Sequence, residues 1–257
     1  MKKIDTTDIT FNRHGAPIMN KEQLEIFTQR LIREFDPTLL IEPKKFDVDK
    51  FVEIFLDLNL EYAFLSHNEC YLGRTVFSNS EEVIVYIPEK NSVEIRTNRE
   101  NTIFLDSRLE DVGREGQRDF TLAHECMHAM LHKDFYTRNH PNQINMFSND
   151  KVNTIGPFRK NDYNNLGNNN PTKFWNQVDF LEWQANSGAS MLSMNRQAME
   201  IFLKSICFKY SSDNYLNSDA INKISEQFGV SKSSAAVRLK SLGYLNNNFV
   251  LGNSFSF

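Results

Sequence analysis

The sequence predicts an α+β protein in which a small, mainly antiparallel sheet packs against one central helix. Four short runs rich in β-forming residues, separated by Asn, Ser and Gly, fall between residues 61 and 105. An uninterrupted stretch follows at residues 117–132, which has helical apolar spacing and contains no Pro or Gly. Helical patterns also precede and follow this region, so we expect N-terminal helices and a C-terminal helical tail around it.

Bulk composition places the chain among ordinary globular proteins. Its 257 residues can bury a proper core, as one large domain or two small ones. A net charge of −4 argues against bulk electrostatic binding to nucleic acid or to an anionic membrane. No window approaches a transmembrane span, and the N-terminus lacks the apolar segment of a signal peptide. Three scattered cysteines without a CxxC pair predict a reducing, cytoplasmic location. The charge and the hydropathy together predict no membrane partner.

Two helices are predicted near the N-terminus, after an irregular arm at residues 1–20. Residues 21–35 have helical spacing, and Pro37 lies just beyond their end. A second helix is expected over residues 47–58. The apolar positions of the first are Leu24, Ile26, Phe27, Leu31 and Ile32, and those of the second are Phe51, Ile54, Phe55 and Leu58.

The predicted sheet comes directly before the central helix. Its strands are expected at residues 61–65, 83–87, 92–96 and 101–105. An edge strand beside such a helix can pair with an extended peptide and align it.

Residues 133–177 are predicted to be a long loop or insertion. They are rich in Asn and contain three prolines. Long loops in compact domains are often functional or disordered, so both a surface excursion and a lid over the site fit the pattern.

Helical spacing resumes near residue 176 and continues toward residue 207, and two short helices are predicted within residues 218–243. Ser218 is the expected cap of the first, which buries Ile221, Ile224 and Phe228. Gly229 and Val230 form the turn, Ser231 caps the second helix and Gly243 ends it.

We divide the chain into an arm and helix at 1–45, a main domain at 46–205 and a helical subdomain at 206–257.

The candidate metal-binding and proton-accepting residues lie in the stretch His124-Glu125-Cys126-Met127-His128. Two histidines four apart on a helix lie on one face and can bind one metal ion. Glu125 points into the same space, where it can take a proton from an activated water. This is the HExxH arrangement of zinc peptidases.

A catalytic zinc site needs a third protein ligand and an open position. Leu131 and Asp134 occupy the places where a metzincin would have Gly and a third His, so that class is excluded. His132 is poorly placed to close a tetrahedron with its two neighbours on the same helix. It is expected either to line the pocket or support a ligand from outside, or to be an ordinary packed or exposed histidine. Glu182 is the best candidate on a later helix, and Asp179 is its main competitor. Asn186, one turn after Glu182, is expected to hydrogen-bond a ligand histidine.

Two segments resemble the ImmA/IrrE family of metallo-endopeptidases. Residues 118–132, RDFTLAHECMHAMLH, resemble the family signature RFTLAHELGH, which apolar residues and often a histidine follow. Residues 182–192 are similar to its ExxAN-x-FA-xx-LL helix, whose glutamate is the third zinc ligand. Residues 224–243 resemble its helical tail. The resemblance covers roughly residues 46–243 and implies a zincin-like, gluzincin-type fold with one Zn²⁺ bound by His124, His128 and Glu182.

The chain also departs from the family pattern. Asp119 replaces the usual Arg, Cys126-Met127 replaces Leu-Gly, and Gly188 stands where the family has Phe. The Pro that commonly closes the second segment is absent after Leu192, and the gap between the two segments is longer.

The resemblance implies an endopeptidase that cleaves a helix-turn-helix transcriptional repressor in a mobile-element or stress-response circuit. Glu125 is the expected general base, and His132, Tyr136 and Tyr163 are candidates for stabilising the oxyanion; we select His132 and Tyr136 as catalytic residues.

Two alternative functions stay open. One is a DNA- or protein-binding regulator that uses residues 218–243, with Lys232, Arg238 and Lys240 on its second helix, and a structural or vestigial metal. The other is a zinc hydrolase that acts on a non-peptide bond.

Overall fold

A computed structural model describes residues 1–139, 158–159, 177–209, 214–246 and 249. Over these residues the protein is a mixed α+β structure with small sheets, as predicted. Eight helices lie in the described part: α1 Lys21–Phe35, α2 Val48–Lys50, α3 Glu115–Leu131, α4 Lys133–Asn139, α5 Gln177–Ser193, α6 Arg196–Ser205, α7 Asn214–Phe228 and α8 Lys232–Ser241. The strands are β1 Thr10–Phe11, β2 Pro17–Ile18, β3 Asn59–Ala63, β4 Tyr71–Val76, β5 Glu81–Ile87, β6 Ser92–Asn98, β7 Thr102–Asp106 and β8 Phe158–Arg159.

The first helix is confirmed with its predicted bounds. Asn20 begins α1 through a capping box, because its side chain accepts from the Gln23 backbone and the Gln23 side chain accepts from the Asn20 backbone. Four of the five predicted apolar positions are buried or nearly so, whereas Ile26 is 62% exposed. The residues before this helix are not wholly irregular, since β1 and β2 form a short antiparallel hairpin.

The second predicted helix is partly wrong. Asp47 caps it, but α2 is only one turn long and continues as a π-helical turn over Phe51–Phe55. A π turn holds more residues than an α turn, so the apolar positions after it change face. Ile54 is therefore 75% exposed, while Phe51 and Val52 are fully buried.

The strands between α2 and α3 belong to two separate sheets, where one sheet was predicted. The main sheet has the order β3-β7-β4-β8, and β5 and β6 form a hairpin of their own. Antiparallel pairing predominates, as predicted, but β3 and β7 are parallel. A parallel pair needs a long crossover, which residues 64–101 provide. The strand next to α3 is β4, a segment that the sequence had not marked as a strand.

The edge of β4 is partly occupied. Strand β8, from the segment predicted as an insertion, pairs antiparallel with β4 through Tyr71↔Arg159 and Gly73↔Phe158. β8 thus pairs with part of the free edge of the strand beside α3, the kind of edge to which an extended peptide could otherwise add. Another part of the insertion is helical, because α4 follows α3 almost without a break. The lid prediction for residues 140–157 and 160–176 lies outside the described residues.

A single hydrophobic cluster surrounds the central helix. It extends from Ile4 to Leu192 and includes the buried faces of α1, α3 and α5, together with strands β4 and β7. α3 packs against both α5 and β4. Burial along α3 is continuous from Phe120 to Leu131, so His124 and His128 are held in a packed helix.

The C-terminal helices pack around a second cluster that begins at Met194. The helix predicted from 176 toward 207 is two helices, because Asn195 adopts an extended conformation and caps α6 by accepting from the Ala198 backbone. Ser218 lies inside α7 and does not cap it, which corrects the prediction. Ser231 caps α8 as predicted.

A buried ion pair fastens the last described helix to the first. Arg238 on α8 is 1% exposed and Glu25 on α1 is 5% exposed. The Arg238 guanidinium donates to both Glu25 carboxylate oxygens, at 2.6 and 3.0 Å, and to the Met194 carbonyl oxygen at 2.9 Å. Within the described residues, no helix has the length and apolar character needed to cross a membrane.

Candidate metal centre

Two buried histidines on α3 and one glutamate on α5 converge. The Nε2 atoms of His124 and His128 lie 3.0 Å apart. Glu182 presents one carboxylate oxygen to each ring, 3.3 Å from His124 Nε2 and 3.4 Å from His128 Nε2. The helical spacing of four residues aligns the histidines, and the packing of α5 on α3 brings in the carboxylate.

These distances fit a tetrahedral metal ion. Zinc bonds to nitrogen and oxygen of about 2.0 to 2.1 Å require neighbouring ligand atoms about 3.3 to 3.4 Å apart. The separations are 3.0 Å between the two Nε2 atoms, 3.3 Å from His124 to Glu182 Oε2 and 3.4 Å from His128 to Glu182 Oε1, so each is of this size, with a different carboxylate oxygen facing each ring. His124, His128 and Glu182 form a group that could hold a metal ion, and they match the three ligands predicted.

Asn186 orients His124, as the sequence predicted. The His124 Nδ1 atom lies 3.0 Å from Asn186 Oδ1 in a buried contact. An amide oxygen can only accept, so Nδ1 carries the proton and the neutral ring has its lone pair on Nε2. That lone pair faces Glu182, which suits a cation between them.

Glu182 is held in its charged form. Burial opposes ionisation, but the facing rings of His128 and His124, which attract and donate to the carboxylate when they are protonated, hold the pKa of its carboxyl well below the usual range. A metal cation would supply the same positive charge to Glu182 when the rings offer it their lone pairs. Its side chain is 26% exposed, so one side of the site reaches solvent. The predicted competitor, Asp179, is exposed and does not belong to the group.

Glu125 lies beside the three candidate ligands and against strand β4. The Thr75 hydroxyl is 2.7 Å from Glu125 Oε2 and 3.0 Å from the Glu125 backbone oxygen. Gly73 allows the close approach, because a Cβ there would lie 2.8 Å from Glu125 Oε1. Burial raises the pKa of the Glu125 carboxyl to about 7, although His128 and Thr75 oppose the shift. A carboxyl with a pKa near neutrality suits both proton uptake and release.

His132 is completely buried one turn after His128. Its Nδ1 lies 2.9 Å from His128 Nδ1, and its Nε2 lies 3.1 Å from Gln184 Oε1. Burial and the neighbouring His128 hold the pKa of the His132 ring well below its usual range, so the ring is neutral. Because both ring nitrogens are engaged, His132 has no N–H left for an oxyanion.

Tyr136, on α4, lies near the histidines with its ring centroid 6.0 Å from that of His128. Its hydroxyl is buried and has no hydrogen-bond partner among the described residues. Burial and the carboxylates of Glu182 and Glu125 raise the pKa of the Tyr136 hydroxyl well above its usual value, so it remains a proton donor. The other candidate tyrosine, Tyr163, lies outside the described residues.

Three residues that contact the site were missed from the sequence. Thr75 and Gly73 lie on β4, and Gln184 lies on α5 between the predicted ligand Glu182 and Asn186. The signal for β4 was present, because the run Tyr71–Val76 contains aromatic and β-branched residues. Its internal Gly was taken as a separator between strands. Gln184 gave no signal beyond its position on a mostly buried helix.

The C-terminal helices show a turn like that of a helix-turn-helix, but one of its three predicted contact cations is unavailable. Arg238 is buried in its ion pair with Glu25. Lys232 is exposed and Lys240 is partly buried. A buried, neutralised guanidinium cannot reach a phosphate.

The chain matches no protein-family model and no curated protein sequence. The class of site is therefore defined by its geometry, which is a two-histidine, one-glutamate group able to hold a metal ion beside a buried glutamate.

Proposed function

We propose that the protein is a zinc-dependent endopeptidase of the zincin type, related to the ImmA/IrrE family it resembles. The observation that carries the proposal is the convergence of His124, His128 and Glu182 beside Glu125. A metal site of purely structural use would not require a carboxyl with a raised pKa next to its open side.

The side chains have distinct roles in this proposal. When bound, a zinc ion would polarise the scissile carbonyl and acidify a water. Glu125 takes the proton of the attacking water and passes it to the leaving amine. Tyr136 donates its hydroxyl proton in a hydrogen bond to the developing oxyanion, which its high pKa and unpartnered position allow. Asn186 keeps the His124 lone pair directed at the site.

The resemblance also leads us to propose a protein substrate, a helix-turn-helix repressor in a regulatory circuit. We assign residues 218–243 a packing or substrate-recognition role. Burial of Arg238 supports this assignment, because it reduces the cationic surface that a DNA-binding regulator would need.

The test uses the full-length protein with zinc and a peptide library derived from a bacterial proteome, analysed by mass spectrometry for new termini. We expect cleavage by the wild type, loss of cleavage with a chelator, and recovery when zinc is restored. The matched control is Glu125→Gln, which should bind zinc normally and generate no new termini. Cleavage by the Glu125→Gln variant at the wild-type rate would exclude the proposed mechanism. The repressor encoded beside the gene is the first protein substrate to examine.

A further inference from the structure

A chain of hydrogen bonds leads from the N-terminal hairpin to His128. The carbonyl oxygen of Pro17, on β2, accepts from Gln184 Nε2 at 3.2 Å. The other end of the same amide, Gln184 Oε1, contacts His132 Nε2, and His132 Nδ1 contacts His128 Nδ1. The side chains of Gln184, His132 and His128, which make these contacts, are all buried.

The direction of every hydrogen bond in the chain follows from Pro17. A carbonyl oxygen cannot donate, so the end of the Gln184 amide that faces it must be the NH₂ group. Gln184 therefore presents its oxygen to His132. The His132 ring is fully buried, and its two ring nitrogens contact an imidazole and an amide, so the neutral form is favoured. An amide oxygen only accepts, so the single proton of this ring lies on Nε2.

The contact with His132 determines which ring nitrogen of His128 carries the proton. With its proton on Nε2, His132 has a lone pair on Nδ1, which lies 2.9 Å from His128 Nδ1. A hydrogen bond forms there only if His128 carries its own proton on Nδ1. The lone pair of His128 is then on Nε2, the atom that faces Glu182 at 3.4 Å.

We propose that His132 and Gln184 are positioning residues that fix His128 as an Nε2 metal donor, and that the Pro17 carbonyl sets the direction of this relay. The inference rests on the proposed metal site but not on peptide hydrolysis. His132 was predicted to be a catalytic residue, and this proposal assigns it instead to the orientation of a ligand. It also couples the β1–β2 hairpin to the metal centre.

The relay is tested first by the tautomer of His128 in metal-free, full-length protein labelled with ¹⁵N-histidine, of which the chain has six. Long-range ¹H–¹⁵N correlation spectra distinguish Nδ1–H from Nε2–H rings. We expect Nδ1–H for His128 in the wild type and a mixture of tautomers in Gln184→Met, which keeps the volume but removes both hydrogen bonds. His132→Leu should have the same effect, whereas His132→Gln should largely restore the wild-type state because an amide can accept and donate.

Zinc affinity is the second measurement. Loss of a partner that orients a ligand typically costs about 10- to 100-fold in metal affinity, which we expect for Gln184→Met and His132→Leu. The control is Leu131→Ala, which removes buried packing one residue away and should lower stability while leaving the tautomer and the zinc affinity unchanged.

The outcomes separate the relay from the proposed function. An Nε2–H tautomer of His128 in the wild type would overturn the relay, as would wild-type tautomer and zinc affinity in both variants, even if the protein is an active peptidase. Conversely, the predicted tautomer shifts in a protein that cleaves no peptide would support the relay and remove the peptidase proposal.

Discussion

Met127 on α3 fills the space that a side chain at Gly188 on α5 would need. A Cβ built on Gly188 would lie 2.4 Å from Met127 Cε and 2.8 Å from its Sδ. The family pattern that the sequence resembles has Gly at the position of Met127 and Phe at that of Gly188. At this helix crossing, the larger residue is therefore on α3 in this chain and on the second helix in the family pattern. The two helices that meet at this crossing are those that carry Glu182 and the two histidines.

The contact between these two residues predicts that the effect of Gly188→Ala on the free energy of unfolding changes sign when Met127 is shortened. Gly188→Ala should destabilise the protein by about 1 to 3 kcal/mol, because the new methyl group overpacks against Met127. In a Met127→Ala background, Gly188→Ala should instead stabilise the protein by up to about 1 kcal/mol, since Ala is favoured over Gly within a helix. Urea unfolding of the four proteins measures both effects.

Gly116 provides the matched control for this cycle. It also lies on a helix, but the nearest atom to its added Cβ would be 3.6 Å away, an ordinary contact. Gly116→Ala should therefore be neutral or stabilising in either background. A stabilising Gly188→Ala in the wild-type background would contradict the packing described.

Zinc affinity should distinguish the two acidic residues at the start of α5. Glu182→Gln keeps the size of the side chain but removes a charged ligand, so we expect a loss of more than about 100-fold, beyond the effect typical of an orienting partner. Asp179→Asn is the control, because Asp179 is exposed one turn earlier and should leave affinity unchanged. Isothermal titration of zinc into metal-free protein decides between them, and equal affinities for wild type and Glu182→Gln would remove Glu182 from the site.

The buried carboxyl of Glu125 predicts a pH-dependent stability of the metal-free protein. Its pKa is raised in the folded state from 4.5 to about 7, mainly by burial, so the protonated form favours folding. This contribution is fully present below pH 4.5 and is lost as the pH rises through about 7. Glu125→Gln cannot ionise, so its stability relative to the wild type should rise by on the order of 3 kcal/mol between pH 4.5 and pH 8.

Urea unfolding at these two pH values, with a chelator present, makes the measurement. Glu115, at the start of the same helix, is a control of opposite sign, because hydrogen bonds from its own N–H and that of Gly113 lower the pKa of its exposed carboxyl. Glu115→Gln should lose a little stability, relative to the wild type, as the pH rises. Parallel pH profiles for wild type and Glu125→Gln would show that burial does not hold the proton on Glu125.

Tyr136→Phe should separate activity from stability. The change removes a buried hydroxyl that has no partner among the described residues, so the free energy of unfolding should stay the same or increase. If this hydroxyl stabilises the oxyanion, kcat should fall by about 100-fold with little change in KM or zinc affinity. Steady-state kinetics on a peptide cleaved by the wild type measures the split.

Tyr86→Phe is the corresponding control. The Tyr86 hydroxyl donates to Asn91 Oδ1 on the separate hairpin, so its loss should not change kcat. A less stable Tyr136→Phe protein with the wild-type kcat would assign the Tyr136 hydroxyl a structural role instead.

Much of the site was predictable because its signals are local. The spacing of His124 and His128 requires only a helix, and the absence of Pro and Gly predicted one. Glu182 followed from the need for a third ligand together with a family resemblance. The Asn186 contact followed from its position one turn after Glu182.

The parts that failed depend on packing between segments distant in sequence. Ile54 is exposed because a π turn shifts the helical phase, which the apolar spacing of the sequence does not reveal. Strand β4 was missed because Gly73 normally weakens a strand, whereas here its lack of a side chain admits Glu125. The break at Asn195 depends on its amide, which donates to the Leu39 carbonyl oxygen more than a hundred positions earlier.

The pair Glu25–Arg238 has a consequence for how the molecule holds together. It joins the first long helix to the last described helix, and α1 and α3 both pack on α5. Non-covalent contacts therefore hold the part of the chain before residue 140 against the part after residue 176. These contacts do not depend on the backbone that connects the two parts. A polypeptide cut once within that interval should persist as a two-fragment complex, and separately produced fragments should reconstitute the metal centre by complementation.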